Sequence, residues 1–169
     1  MAFKFGKLSV LVVEDTGPML KLIVSVLESL GVGQVYSAPN GERGFETFRR
    51  VNPDIVISDW HMEPMSGIDL TREIRTHPYS PNRTAPVILI TGYNAMSRVS
   101  EARDAGVTEF LIKPFSANDL ARRLAHVINR PRDFVDYHAY FGPDRRRRSM
   151  PDYNGPLRRP SDHETSQPE

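Results

Sequence analysis

The feature that most constrains the fold is a fivefold alternation of short apolar runs with longer amphipathic segments. The first run, residues 8–13 (LSVLVV), is apolar almost throughout, as expected for a strand covered on both faces. In the next segment apolar residues recur every three or four positions, which predicts a helix that opens at Gly17-Pro18 and ends at Gly31. Such strand–helix units predict a parallel sheet with helices on both faces and right-handed crossovers.

The same alternation continues to about residue 129. Further strands are predicted at residues 35–37, 55–58, 87–90 and 109–112, and further helices after Asn40, through residues 68–74, at about 94–104 and from Ser116 to Ile128. Asn40 suits a helix N-cap, and Ser116-Ala-Asn-Asp119 resembles a capping box with aspartate in the glutamate position. The prediction is a doubly wound α/β fold, in which the functional crevice lies beyond the carboxyl ends of the strands.

The composition of the chain changes at residues 129–131, where the last helical pattern ends in Asn-Arg-Pro. We therefore predict one domain over residues 1–130 and a flexible, Pro- and Arg-rich tail over residues 131–169, where aliphatic residues nearly vanish. The absence of cysteine excludes disulfides, thiolate catalysis and cysteine-ligated zinc. With neither a signal-peptide pattern nor a run of about 20 apolar residues, the sequence predicts a soluble, cytoplasmic protein.

Polar residues follow four of the five predicted strands, whose carboxyl ends share one edge of the sheet. Glu14-Asp15 follow the first strand, Asp59 the third, Thr91 the fourth and Lys113 the fifth. Three carboxylates in one crevice repel one another, and a hard cation with oxygen ligands, most simply Mg²⁺, relieves that repulsion. Lys113 suits the oxygens of a transferring phosphoryl group, and Thr91 can donate a hydrogen bond to it. Asp59 can then act as a carboxylate nucleophile that becomes an acyl phosphate.

Each of these residues also has a simpler structural explanation. An aspartate at a strand end most often caps a helix or lies in a solvated turn, and Glu14-Asp15 suit the first turn of a helix. Thr91-Gly92 alone suggests a turn, and Lys113 alone suggests a surface lysine. Their joint occurrence, in this order on this alternation of elements, favours a phosphoryl-accepting site.

These residues resemble the CheY-like receiver domains of bacterial two-component signalling over roughly residues 8–129. The matching segments are VVED (12–15), ISDWHMEPMSGIDL (57–70), LITG (89–92) and FLIKPF (110–115). The resemblance implies a flavodoxin-like (βα)5 fold and a response regulator phosphorylated on Asp59 by a sensor histidine kinase or a phosphotransfer protein. It implies that Mg²⁺ is bound by Glu14, Asp15, Asp59 and the backbone carbonyl of His61, and that the side chain of His61 is not a ligand.

The resemblance also implies a switch. Thr91 and Lys113 would contact the phosphoryl group, and Lys113-Pro114 would carry a cis peptide bond. Phe110 occupies the place of an aromatic residue that moves inward on activation, without the tyrosine hydroxyl of many relatives. Phosphorylation would then favour the active arrangement of the face formed by the fourth helix, fifth strand and fifth helix, which binds a downstream protein.

Two departures from the family pattern border the site. Glu63 stands where many receivers have proline, a change that could alter autodephosphorylation or metal affinity. Tyr93, two residues beyond Thr91, is bulky enough to restrict access. Neither change removes a required group, and no second catalytic constellation appears. We therefore predict a protein that is not an enzyme, because phosphorylation would be self-modification rather than turnover.

The tail contains a repeated motif, Y-x-G-P-x-R-R, at residues 140–146 and 153–159. Arginine pairs with phosphate oxygens and with the O6/N7 edge of guanine, tyrosine offers a stacking surface, and Asp144 can accept from guanine. These side chains suit the binding of a guanine nucleotide that bears phosphates, by a segment that folds on binding. The candidate ligand residues are Tyr140, Asp144, Arg145, Arg146, Arg147, Arg148, Tyr153, Arg158 and Arg159.

This tail resembles the arginine-rich C-terminal segments of the Cle proteins, CheY-like proteins that bind cyclic di-GMP and in some cases act at the flagellar motor. The resemblance implies that the tail binds cyclic di-GMP and that the protein acts on the flagellar motor switch or in chemotaxis. Alternatives are a nonspecific RNA or DNA contact, an anionic protein or membrane contact, and an inert extension; the net charge of only +1 argues against general nucleic-acid affinity. A further alternative is a pseudo-receiver scaffold controlled by the second messenger alone.

Overall fold

A computed structural model describes residues 4–92, 97–137 and 140–144 of the 169-residue chain. The elements in chain order are β1 (Ser9–Val13), α1 (Gly17–Ser29), β2 (Gln34–Ala38), α2 (Gly41–Val51), β3 (Ile55–Asp59), α3 (Gly67–Thr76), β4 (Val87–Gly92), α4 (Val99–Ala105), β5 (Glu109–Lys113), α5 (Ala117–Asn129), β6 (Phe134–Tyr137) and β7 (Tyr140–Pro143). Within these ranges, no helix has the length and apolar character needed to cross a membrane.

The first five strands form one parallel sheet in the order β2-β1-β3-β4-β5. Each helix from α1 to α4 connects two parallel strands, which an ordinary hairpin turn cannot join. The central strands β1, β3 and β4 consist almost wholly of buried residues, because helices cover both of their faces. The predicted doubly wound (βα)5 fold is confirmed.

The core divides into layers because successive side chains of a strand point to opposite faces of the sheet. On one face, Val10 and Val12 of β1 pack with residues of α1 and α5 such as Ile23 and Leu124. On the other face, the core joins β1 to α2 and α3 through Leu11, Val13, Phe48, Leu70 and Ile74. A third cluster lies around α4 and is formed by Trp60, Ile68, Leu89, Ala102, Ala105 and Val107.

The two predicted helix caps are confirmed. The side chain of Asn40 accepts a hydrogen bond from the backbone N–H of Arg43 at 2.9 Å. Ser116 and Asp119 form a reciprocal capping box, with each side chain accepting from the other residue's backbone N–H at 3.1 and 2.8 Å. The hydrogen bonds from Ser116 lower the pKa of the Asp119 carboxyl.

Two boundaries differ from the sequence prediction. Helix α4 begins at Val99 rather than at residue 94, and residues 93–96 lie outside the described residues. The tail predicted to be flexible from residue 131 begins with structure, because β6 and β7 pair as an antiparallel hairpin. Residues 145–169 lie outside the described residues, so the prediction for the rest of the tail stays a prediction.

Candidate acidic phosphoacceptor site

Three carboxylates meet at the carboxyl edge of the sheet. The parallel register of β1 and β3 pairs Val13 with Ser58, so the residues that follow, Glu14 and Asp59, emerge side by side. With Asp15 they form a cluster in which one oxygen from each carboxylate lies within 4.8 Å of the others. The strand-end argument from the sequence is therefore confirmed for these three side chains.

Glu14 is the most buried of the three carboxylates. It is only 1% exposed, and its Oε1 accepts a weak hydrogen bond from the Thr16 N–H at 3.3 Å. Its Oε2 has no hydrogen-bond partner among the described residues. Burial first, and then the negative charge of Asp59, raises the pKa of the Glu14 carboxyl, while Lys113 opposes that shift. A buried carboxylate oxygen without a partner is costly, and a divalent cation would satisfy it, so the cluster fits Mg²⁺.

Lys113 supplies a positive charge next to Asp59. Its Nζ donates to Asp59 Oδ1 at 3.3 Å, and the two side chains are 31% and 13% exposed. Thr91 lies at the same edge, buried at the end of β4, where its hydroxyl donates to the Gly92 carbonyl at 3.2 Å. The structure thus joins Lys113 to Asp59 and gives Thr91 a partner on its own strand. The predicted cis bond at Lys113-Pro114 is present.

The backbone around Asp59 is fixed by the start of α3. The Gly67 N–H donates to the Trp60 carbonyl at 2.8 Å, and the Trp60 N–H donates to the Ile90 carbonyl at 3.1 Å. A Cβ on Gly67 would lie 2.1 Å from the Asp59 carbonyl oxygen, which no real contact permits. Glycine at position 67 therefore allows α3 to begin directly against the backbone of the candidate phosphoacceptor.

The loop after Asp59 carries the other residues predicted to border the site. His61 and Glu63 are exposed, and the His61 ring stacks on Trp60 with 6.1 Å between ring centroids. The role of the His61 carbonyl as a metal ligand remains a prediction. Glu63-Pro64 is a second cis peptide bond. Tyr93 lies outside the described residues.

Phe110, the predicted switch residue, is half-buried on β5. It packs against the cluster that contains Trp60 of the Asp59 loop, Leu89 of β4 and Ala102 of α4. A movement of α4 relative to the Asp59 loop would therefore change the contacts of this ring.

Of the predicted tail ligands, only Tyr140 and Asp144 lie within the described residues. Tyr140 is half-buried, and its hydroxyl donates to the Pro143 carbonyl at 2.7 Å and, weakly, to the Arg103 carbonyl at 3.4 Å. The Asp144 N–H donates to the Asp133 carbonyl at 2.6 Å, and its carbonyl accepts from Arg132. Tyr140 is thus engaged in packing the hairpin. Arg145–Arg148, Tyr153, Arg158 and Arg159 lie outside the described residues.

Sequence reasoning missed a buried arginine at the other end of the sheet, where β4 and β5 begin. Arg75 of α3 is fully buried, and burial lowers its pKa to about 9, which leaves it protonated at neutral pH. Its guanidinium donates to the carbonyls of Ala85 at 2.6 Å, Arg83 at 2.9 Å and Gly106 at 3.1 Å, and to the Thr108 hydroxyl at 3.4 Å. The available signal was its helical spacing from the buried Ile68 and Thr71, which puts it on the inward face of α3.

Comparison with known proteins agrees with the fold. The family model described as response regulator receiver domain matches residues 10–125. Chemotaxis protein CheY-3 of Vibrio cholerae is 30% identical over 123 residues, which cover 73% of this chain and 93% of that protein. The transcriptional regulatory protein PdtaR of Mycobacterium tuberculosis is 32% identical over 126 residues, which cover 75% of this chain and 59% of that protein.

Solved structures give the same result. A response regulator from Chloroflexus aurantiacus superposes with a TM-score of 0.67 at 26% identity, covering 73% of this chain and 98% of the other. The receiver domain of a Pseudomonas aeruginosa sensor histidine kinase, with a magnesium ion coordinated in its active site cleft, gives 0.65 at 28% identity, covering 72% and 98%. The chain therefore belongs to the response regulator receiver domain family, with CheY-like proteins among its relatives.

Proposed function

We propose that this protein is a single-domain response regulator that accepts a phosphoryl group on Asp59 with Mg²⁺ bound, switches a protein-binding face, and binds cyclic di-GMP through its arginine-rich tail. The first part rests on the family, in which phosphorylation by histidine kinases and Mg²⁺ binding are typical. The observation that carries it here is the buried Oε2 of Glu14, which has no hydrogen-bond partner in the described part of the chain and lies beside Asp59 and Lys113. A bound cation offsets the cost of that arrangement, and a cation beside a carboxylate and a lysine suits phosphoryl transfer.

The reaction at Asp59 is a phosphoryl transfer between two nucleophiles. A carboxylate oxygen of Asp59 attacks the phosphorus of a phosphohistidine; the P–N bond breaks, a P–O bond forms, and the histidine ring leaves with its electron pair. Mg²⁺ held by Glu14, Asp15 and Asp59 would supply positive charge to the phosphoryl oxygens. Lys113, already 3.3 Å from Asp59 Oδ1, is placed to bind one of those oxygens.

A groove between β5 and α5 supports the proposed protein-binding face. It encloses about 430 Å³ and is lined by Leu111, Ile112, Phe115, Asp119, Arg122, Arg123 and His126. The carboxylate of the buried Glu109 lies 3.4 Å from Arg123 Nη1 and 3.4 Å from His126 Nε2, which holds these two side chains along one side. An apolar floor with a basic rim suits an acidic amphipathic segment of a downstream protein, of which the flagellar motor switch is one candidate.

The second part of the proposal concerns the tail. Asp144 is anchored through Arg132 and Asp133, and the run Arg145–Arg148 follows it immediately in the chain. Paired arginines can grip phosphates and guanine edges at once, which single lysines cannot. Since the net charge of the chain is only +1, a compact guanine nucleotide with two phosphates suits this local basic segment better than a long nucleic acid.

Phosphorylation is tested by incubating the protein with acetyl phosphate and Mg²⁺ and measuring its intact mass. The expected result is the addition of one phosphoryl group to the wild type and its loss in Asp59→Asn. Asp54→Asn is the matched control, because Asp54 is an exposed carboxylate that precedes the opposite end of β3. No Mg²⁺-dependent adduct on the wild type, or an adduct on Asp59→Asn, would contradict the proposal.

The tail is tested by calorimetry with cyclic di-GMP, with GTP and RNA as competitors. Arg145→Ala/Arg146→Ala and a truncation after Asp144, which keeps the hairpin, should lose the binding of the intact chain. Arg49→Ala/Arg50→Ala removes an adjacent exposed pair from α2 and should bind normally. No binding by the intact chain, or displacement by RNA, would refute cyclic di-GMP as the ligand and leave the phosphorylation result unaffected.

A further inference from the structure

The β6–β7 hairpin occupies a position from which it can control the receiver. We propose that it is a strap that holds α4 in the arrangement seen here and so opposes phosphorylation of Asp59. The inference rests on the proposed phosphorylation, but it concerns a different surface, at the carboxyl end of α4.

A hairpin of this size needs an external surface to hold it. Its strands pair over four residues each, from Phe134 opposite Pro143 to Tyr137 opposite Tyr140. An isolated two-stranded hairpin is at best marginally stable in water. The stability of this one must therefore come from the receiver surface on which it lies.

Two arginines and two aromatic rings form the main contact. The Arg75 guanidinium lies 4.9 Å from the centre of the Phe134 ring, and the Arg83 guanidinium lies 3.9 Å from that of Phe141. The two rings are 5.7 Å apart and tilted by 41° to each other, so the four side chains form one continuous contact. Cation–π contacts of this kind fix both the position and the orientation of the rings.

The hairpin also touches the end of α4. The Tyr140 hydroxyl lies 3.4 Å from the Arg103 carbonyl in the last turn of α4. Gly142 lies against Gly106, the C-cap, closely enough that an added Cβ would be 3.1 Å from the Gly106 Cα. Arg132 donates to the Thr108 carbonyl at 3.2 Å, where the chain enters β5. The hairpin thus fixes the turn between α4 and β5.

The other end of α4 is tied to the phosphoacceptor loop. Arg98, which precedes the helix, lies 5.3 Å from the centre of the Trp60 ring and pairs with Glu101 at 2.9 Å. Trp60 adjoins Asp59 in sequence. Because α4 has only seven residues, a shift at one end is transmitted to the other.

The direction of the effect follows from Thr91. In the arrangement seen here, the Thr91 hydroxyl donates to the Gly92 carbonyl, and no hydrogen bond joins it to Asp59 among the described residues. Contacts that stabilise one of two arrangements oppose any ligand that prefers the other, and the coupling is reciprocal. Weakening the strap should therefore strengthen binding of a phosphoryl group, or its mimic, at Asp59.

The test uses beryllofluoride as the mimic, titrated in the presence of Mg²⁺ and followed by the fluorescence of Trp60, the one tryptophan of the chain. Arg83→Ala and Phe141→Ala each remove one partner of the contact between Arg83 and Phe141. Each variant should bind beryllofluoride about fivefold more tightly or better. Arg49→Ala is the matched control, because it removes an exposed arginine stacked on Tyr79 at 5.1 Å, away from the hairpin. Affinity in both strap variants equal to or weaker than that of Arg49→Ala would overturn the proposal.

Hydrogen exchange of the α4 segment separates this inference from the phosphorylation it rests on. If the wild type failed to bind beryllofluoride, the proposed phosphorylation would be wrong. Hydrogen exchange alone would then test whether the hairpin holds α4. Faster exchange in residues 99–105 of Arg83→Ala and Phe141→Ala than in Arg49→Ala would support the strap, and equal exchange would overturn it.

Discussion

Lys113 and Asp59 are the last residues of β5 and β3, and their side chains meet with 3.3 Å between Nζ and Oδ1. The two strands are not neighbours, since β4 lies between them, so the pair spans the carboxyl edge of the sheet. With Lys113 about one-third exposed, the pair contributes little to stability, on the order of 0–1 kcal/mol. Its significance lies in setting the charge of the site.

Lys113→Met should change the affinities for cation and anion in opposite directions. Loss of the lysine charge leaves the three carboxylates more negative, so Mg²⁺ should bind more tightly. Beryllofluoride, to which Lys113 would donate a hydrogen bond, should bind about tenfold more weakly or worse. Trp60 fluorescence measures both. Lys21→Met, which removes an exposed charge from α1, should change neither affinity, and a parallel change of the two affinities in Lys113→Met would contradict the assignment.

Glu14→Gln should make the protein more stable at neutral pH while abolishing Mg²⁺ binding. The raised pKa of Glu14 means that folding penalises its charged form, so the unfolded chain loses this proton at a lower pH than the folded chain. The wild type therefore loses stability as pH rises from the ordinary glutamate pKa through the raised one. The amide should remove this loss and gain about 1 kcal/mol. Urea unfolding at several pH values without Mg²⁺ measures it, with the exposed Glu28→Gln as control.

Arg75→Met should destabilise the fold severely, by about 2–4 kcal/mol. The carbonyls of Ala85 and Gly106 would lose their donor in a buried setting, and Phe134 would lose the guanidinium that positions the hairpin. Arg72→Met is the control on the same helix. Its pair with Asp69 is half-exposed, so its unfolding free energy should stay within about 0.5 kcal/mol of the wild type. Equal losses of unfolding free energy in the two variants would show that the buried contacts of Arg75 do not contribute to stability.

Periodicity predicted the sheet and its helices because each strand or helix carries its own hydrophobic pattern, and the strand-end rule then brought Glu14, Asp15 and Asp59 together. The hairpin escaped prediction because the contacts that hold it are made with Arg75 and Arg83, over 50 residues away in the sequence. Arg75 was missed because arginine is almost never fully buried, although its helical spacing from Ile68 and Thr71 indicated the inward face of α3.

Gly67→Ala should damage the site as well as the fold. The new methyl group would lie 2.1 Å from the Asp59 carbonyl oxygen and 2.7 Å from Leu89, so α3 must move away from the Asp59 backbone. We expect a loss of about 1–3 kcal/mol in unfolding free energy, together with weaker Mg²⁺ binding, because the carboxylate of Asp59 shifts with its backbone. Gly17→Ala is the matched control.

Gly17, like Gly67, is the first residue of a helix, but an added Cβ there meets nothing within 4 Å. Its replacement should leave Mg²⁺ binding unchanged and should be neutral or stabilising by up to about 1 kcal/mol. Thermal unfolding and a Mg²⁺ titration on both variants separate the general effect of alanine at a helix start from the specific clash at Asp59. Normal Mg²⁺ affinity in Gly67→Ala would show that the Asp59 loop tolerates the displacement of α3, and that the close approach of Gly67 is not what positions the phosphoacceptor.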